Sequence, residues 1–302
     1  MINYNKLLNN LEILKLDKIL AYLPNYLTAI KGKDVALIDS LYELTNKEIE
    51  FRNERASKLQ VTVAAFPFQK ELSDFDFDYQ PSINKSQILD LATLRFLENK
   101  ENVLFIGNSG VGKTHLAIAL GITAAKKRYS VYFIQCHDLI LQLKKAHAEN
   151  RLEQRLKFFS KYSLLIIDEI GYLPVDKDGA NLFFQLIARR YEKSSTIITT
   201  NQIFSKWGEV FSDSTLANAI LDRLVHHSNI IKISGQSYRL KDKIYELEKI
   251  KYLIKFQKST TILSLISGKI ILNFSINSIL NFFINLILTF THGCCRGKRH
   301  SN

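Results

Sequence analysis

The sequence predicts an α/β fold, a parallel sheet covered by helices on both faces, preceded by a small helical N-terminal region. Three observations carry that expectation. From Lys85 to Ile233, apolar runs of four to six residues alternate with helical stretches, and strands buried on both faces read as such unbroken runs. A Gly-rich turn, "GNSGVGKT", stands between one apolar run and the helix that follows it. Residues 1 to about 65 carry Leu7, Leu8, Leu11 and Leu14, then Leu37, Leu41 and Leu44, at helical spacing.

The elements follow in order. Pro24 is expected to interrupt the N-terminal helices, because its ring removes a donor and crowds the preceding turn. "LSDFDFDYQPSIN" alternates aromatic and acidic residues ahead of Pro81, which suits an extended connector and puts a domain boundary near 60 to 80. Helices are expected at 85–99, 112–127, 137–148, 151–159, 179–192 and 214–227, and strands at 102–106, 131–135, 163–167, 196–200 and 229–233. The organisation expected is a helical domain at 1–65, a linker at 66–84, a nucleotide-binding domain at 85–250 and an atypical extension at 251–302.

Composition narrows the class. The chain has 302 residues, 46% of them hydrophobic and 23% charged, which fits a globular protein and argues against disorder or a fibrous repeat. Its net charge of +12 favours a polyanionic partner. Half of that surplus lies between Leu253 and Asn302, a stretch with six basic residues and no acids. Cys136, Cys294 and Cys295 suit neither a disulfide framework nor a zinc ribbon, and "MINYNKLLNN" lacks a secretory pattern. A cytoplasmic protein is expected.

Residues 270–290 lack charge and are long enough to span a bilayer, but Asn273, Asn277, Asn281 and Asn285 would line one face of such a helix. Four amides in hydrocarbon argue against a membrane anchor. A non-native or weakly ordered extension and a helix associating through its Asn stripe stand as the alternatives.

The Gly-rich turn carries the chemistry. Gly107 to Thr114 match G-x-x-x-x-G-K-[ST] with a strand before and a helix after. Gly107, Gly110 and Gly112 let the backbone, with Asn108, Ser109 and Val111, turn its N–H groups toward a phosphate at a helix N-terminus. Lys113 can reach the β- and γ-phosphates of ATP, Thr114 can offer its hydroxyl to Mg2+, and His115 follows within the same first turn. Fifty-five residues later, "LLIIDE" delivers Asp168 and Glu169 to the end of a strand, where ligands of open α/β sheets sit. Asp168 would hold the metal, directly or through water, and Glu169 could polarise the attacking water.

Asn201 ends the next strand, where its amide could orient that water. In "AILDRLVHHS", Arg223 borders an apolar stripe of Ile220, Leu221, Leu224 and Val225 and could enter a neighbouring subunit's site. Arg239 is the other arginine placed to touch nucleotide. His226–His227, Cys136 with Asp138, and Cys294–Cys295 do not show metal-ligand spacing, and Trp207 and Phe183–Phe184 read as core or interface.

With these residues assembled, the sequence resembles the IstB-like family of AAA+ ATPases, helpers of insertion-sequence transposases related to the DnaC helicase loader and, more distantly, DnaA. The resemblance runs from about Leu7 to Lys243 and rests on stretches such as "FPFQKELSDFDF", "FIGNSGVGKTHLAIALG", "LLIIDEIGYLPVDKDGANLFFQLIARRYEKSSTIITTN" and "ILDRLVHHS". It implies an AAA+ core of five parallel strands, a Walker A loop at Gly107–Thr114, a Walker B pair at Asp168–Glu169, a first sensor at Asn201 and a trans-acting arginine at Arg223.

It also implies an ATP- and DNA-dependent homo-oligomer that binds double-stranded DNA and stimulates a partner transposase. The alternative within the superfamily is a replicative helicase loader, and a membrane-anchored nucleotide-binding protein is a rival from another class. For DNA contacts the candidates are "KKAHAENRLEQRLK", Lys144 to Lys157, and the helical N-terminal region. The fifty residues beyond the "SYRLK" segment depart from the family pattern.

Overall fold

The structure, a computed structural model, describes residues 2–241. The uncharged stretch 270–290 with its Asn series, the Cys294–Cys295 pair and the basic tail lie outside the described residues. Among the described residues, no helix is long and apolar enough to cross a membrane.

Five parallel strands form one sheet in the order β2-β3-β4-β1-β5, with β1 at Asn102–Gly107, β2 at Val131–Gln135, β3 at Leu164–Ile170, β4 at Ser195–Thr200 and β5 at Ser228–Ile233. Their apolar runs face two cores at once. Phe105, Ile166 and Ile197 point to one side, while Leu104, Ile167 and Ile198 point to the other, all fully buried. Each such side chain contributes roughly 1.5–3 kcal/mol by leaving water.

The helices, in chain order, are α1 (Ile2–Ile13), α2 (Asp17–Ile30), α3 (Leu37–Val63), α4 (Lys85–Ala92), α5 (Arg95–Glu98), α6 (Lys113–Lys126), α7 (Cys136–Ala148), α8 (Leu152–Ser160), α9 (Lys177–Arg190), α10 (Trp207–Val210) and α11 (Ser214–Val225). Helix α6 and the α4–α5 segment cover one sheet face, and α7 to α11 cover the other. Trp207 and Phe183 are fully buried in the second core, with Phe184 packed at its margin.

The sheet region from 102 to 233 follows the expected pattern to within a few residues. Three local departures have physical reasons. Pro24 does not interrupt a helix but lies inside α2; the helix continues because Ile19, Leu23 and Tyr26 are buried along it, so packing outweighs the local penalty. The single helix expected over 85–99 is two, separated at Leu94, whose left-handed backbone (φ 73°) turns the chain so that Leu94, Phe96 and Leu97 are all buried. Strand β3 runs three residues past its expected end through a bulge between Ile167 and Ile170.

The N-terminal helices are tied together by a buried acid rather than a local cap. Helix α2 has no side-chain cap of its own. Glu48 of α3 supplies one, accepting from the backbone N–H of Lys18 at 2.9 Å and Ile19 at 3.2 Å while Arg52 Nε donates to it at 2.8 Å. Burial by itself would raise the Glu48 pKa, but the Arg52 and backbone donors together hold it below its ordinary value. The far end of α3 meets the sheet, where Phe133 N–H donates to Ala64 O at 2.9 Å.

Candidate functional site

The strand ends, the loop after β1 and the linker enclose a cavity of about 440 Å³, within the range typical of small-molecule sites. Its wall includes Ser109 to His115, Asp168, Glu169, Thr199, Thr200, Asn201, Tyr238 and Arg239. Of the residues expected from the sequence, Gly107, Asn108 and Arg223 do not line it.

The loop from Gly107 to Gly112 is built by close approach. Gly110 and Gly112 have φ of +81° and +99°, a region that side chains strain to enter. A Cβ on Gly112 would lie 2.6 Å from Phe75, and one on Gly107 would lie 2.1 Å from Ile233 O. Gly107 and Asn108 act behind the wall: their carbonyls accept from Lys113 Nζ at 2.8 and 2.7 Å. Burial pulls the Lys113 pKa down, against the opposing pull of Asp168 and Glu169, and Arg239 lowers it further. His115 lies at the cavity but turns its ring toward the linker, with Nε2 at 3.1 Å from Glu71 O and Phe75 edge-on at 5.2 Å.

Sequence distance closes at the sheet. Thr114 Oγ1 donates to Asp168 Oδ1 at 2.9 Å and approaches Oδ2 at 3.2 Å. Thr199 Oγ1 donates to Asp168 Oδ1 at 2.5 Å and accepts from Glu169 N–H at 2.9 Å. Burial raises the Asp168 pKa, which Thr199, Thr114 and Lys113 partly offset. The bulge in β3 leaves Glu169 exposed at φ 61°, beside buried Asp168; in a regular strand the two side chains would point to opposite faces, yet both line the cavity. A hydroxyl and a carboxylate in contact form an oxygen donor set that fits Mg2+.

Two contributors escaped the sequence reading. Thr199 positions Asp168 and the Glu169 backbone; the signal was a threonine pair closing a strand that is buried along its whole length. Phe75 packs over Gly112, and only the alternating aromatics of the linker hinted at it. The C-terminal strap adds another contact, with Tyr238 N–H donating to Gly110 O at 2.9 Å and bringing Arg239 to the cavity.

Arg223 stands apart from this cavity. On α11 its Nη1 donates to Ala219 O at 2.9 Å and its guanidinium lies 4.7 Å from the Phe184 ring centre. Of the DNA candidates, Lys144 pairs with Asp176 at 2.6 Å, Arg151 pairs with Glu149, and Arg155 lies 5.3 Å from the Phe158 ring centre. Cys136 is buried, which pushes its thiol up to about 12 and leaves it inert.

The description "IstB-like ATP binding protein" matches residues 9–245. Over 240 residues the chain is 56% identical to a protein named for ATP binding in insertion sequence IS232 of Bacillus thuringiensis subsp. berliner, covering 80% of this chain and 96% of that one. A counterpart from insertion sequence IS21 of Pseudomonas aeruginosa is 44% identical over 233 residues, covering 77% and 88%. Among solved structures, a DnaI crystal structure is similar at a TM-score of 0.48 and 21% identity, covering 55% of this chain and 91% of that one. With a matched family description over most of the chain, close relatives over nearly their whole length and a phosphate-loop cavity at the strand ends, the chain belongs to the IstB-like family of ATP-binding proteins.

Proposed function

We propose that the protein is an ATP-hydrolysing, DNA-binding transposition helper that assembles as a homo-oligomer on double-stranded DNA and stimulates a partner transposase. The observation that carries this reading is a division of labour. Lys113, Thr114, Asp168, Glu169 and Asn201 share one cavity, whereas Arg223 lies outside it. An arginine outside its own cavity supports a role in the cavity of another copy.

In this reading, residues 1–65 form a helical module, 66–84 a linker strapped to the phosphate loop, and 85–250 the ATPase domain. The loop N–H groups and Lys113 hold the phosphates of ATP, Thr114 and Asp168 hold Mg2+, and Arg239 touches nucleotide. Bound Mg2+ neutralises charge on the β- and γ-phosphates. Glu169 accepts a proton from the attacking water as Asn201 orients it, and Arg223 of a neighbouring copy meets the charge that develops on the transferred phosphoryl group. DNA binding rests on Lys and Arg contacts to phosphates, with a log-log salt slope of about 0.9 per phosphate neutralised.

The relatives named for insertion sequences support a transposition role over a helicase-loader role. Light scattering of the full chain with duplex DNA tests the assembly: mass should grow with a non-hydrolysable ATP analogue and not without it, and should fail to grow for Lys113→Ala. A second test is complementation. Glu169→Gln and Arg223→Ala should each be inactive alone, and mixing them should restore turnover at the junctions where an intact Glu169 meets an intact Arg223. No recovery on mixing overturns the trans assignment.

A further inference from the structure

Far from the cavity, at the edge where the strands begin, the fold gathers groups that the sequence keeps apart. Glu192 follows α9, 34 residues before His226, and one ligand atom from each of Glu192, His226 and His227 lies within 4.8 Å of the others. His227 Nε2 is 3.6 Å from Glu192 Oε1, and the two imidazole centres are 4.0 Å apart. The histidine pair alone lacked metal spacing in the sequence; the missing ligand comes from the α9–β4 turn.

We propose that Glu192, His226 and His227 form a binding site for a divalent metal ion of the zinc type, with a fourth position open to water or to another molecule. The donor set is one that zinc uses, two imidazoles and one carboxylate. Neighbouring ligand atoms around tetrahedral zinc stand about 3.3 Å apart, given bond lengths of about 2.0–2.1 Å. Atoms already within 4.8 Å of one another need only a small closure to that spacing, and all three side chains are exposed.

The surroundings orient the ligands. Tyr191 Oη lies 2.8 Å from His226 Nδ1. In the tautomer that carries its proton on Nδ1, His226 donates to the phenol oxygen and leaves the Nε2 lone pair to the metal. Such an outer partner fixes tautomer and ring orientation in metal sites. Asp222 stands one turn before His226, Lys193 follows Glu192 directly in the chain, and Arg223 is held over Phe184. His227 is anchored through its backbone, its carbonyl accepting from Asn102 N–H at 2.8 Å.

The test uses the full chain, free of tag and nucleotide, with Cys294 and Cys295 changed to Ser so that their thiols do not compete. Zn2+ titrated against a chromophoric chelator should show one equivalent bound. Glu192→Gln, a near-isosteric change at an exposed position, and the His226→Gln/His227→Gln pair should each abolish that equivalent, with far-UV circular dichroism melts unchanged. Tyr191→Phe should weaken binding about 10- to 100-fold. Co2+ in place of Zn2+ should give a spectrum without a thiolate charge-transfer band. Retention of the same equivalent at the same affinity in Glu192→Gln or in the double-histidine variant overturns the proposal, as does a thiolate band with Co2+.

Discussion

At the edge where the strands end, Lys113, Thr114, Asp168 and Thr199 bond to loop carbonyls or to one another. At the edge where the strands begin, Arg223 reaches only a carbonyl of its own helix and a ring face, and Glu192, His226 and His227 are exposed. The first edge is a closed set of partners. The second carries the groups that the two proposals above assign to another molecule. Preorganisation at the first edge holds the reacting groups in position, while exposure at the second leaves room for another molecule.

Arg190 sharpens the contrast, because it sits at the second edge and yet is fully satisfied. It is buried, donating to Phe159 O, Tyr162 O and Ser195 O and to Thr196 Oγ1. Arg190 and Arg223 should therefore respond in opposite ways to the same substitution. Arg223→Ala should lower turnover of the DNA-bound assembly by about 10³- to 10⁵-fold, read by phosphate release, with the melting temperature unchanged. Loss of stability without loss of turnover would erase the distinction.

Next in size, Arg190→Ala orphans three buried carbonyls and opens a cavity, and it should destabilise the fold by about 3–5 kcal/mol. Denaturant unfolding measures this. A change under about 1 kcal/mol would show that the carbonyls find other donors. Thr199→Val removes the shortest hydrogen bond to Asp168 and the acceptor for Glu169 N–H, at about 1–3 kcal/mol for the groups left unpaired. It should lower turnover more than nucleotide affinity; an equal loss in both would place Thr199 in ground-state binding.

The smallest effect concerns Asp168 itself. Its pKa is raised in the fold, so ionising it costs stability that begins to be lost as pH rises past the unfolded value of 3.8 and is fully lost above the folded value. Asp168→Asn should therefore melt slightly higher than the parent at neutral pH without ligand, and the difference should vanish in acid below that unfolded value. The same variant should lose Mg2+-dependent turnover. A lower melting temperature at neutral pH would mean that the hydrogen bonds from Thr114 and Thr199 outweigh the burial.

The site was legible where chemistry is local. A phosphate loop needs its glycines, lysine and hydroxyl in one short run, so Gly107 to Thr114 read directly, and a buried strand delivers Asp168 and Glu169 as its next two residues. The five strands were legible for a related reason, since burial on both faces favours short apolar runs such as Val103–Ile106 and Leu164–Ile167. Less was legible in the N-terminal region, where Pro24 read as a break and nothing singled out Glu48. There the deciding terms are contacts between helices far apart in the chain.

What the sequence determined by itself is the alternation of strands and helices and the contiguous motif from Gly107 to Thr114 that the proposed function reads as the phosphate loop, because periodicity and a contiguous motif act over a few residues. What only the tertiary structure decided is which groups meet: Thr199 with Asp168, Phe75 with Gly112, Glu48 with the start of α2, and Glu192 with the histidine pair. Those pairings depend on strand order and on helices packing across the sheet, and chain spacing carries no record of either. The exclusion of Arg223 from its own cavity has the same origin, since α11 lies on the sheet face and not over the strand ends.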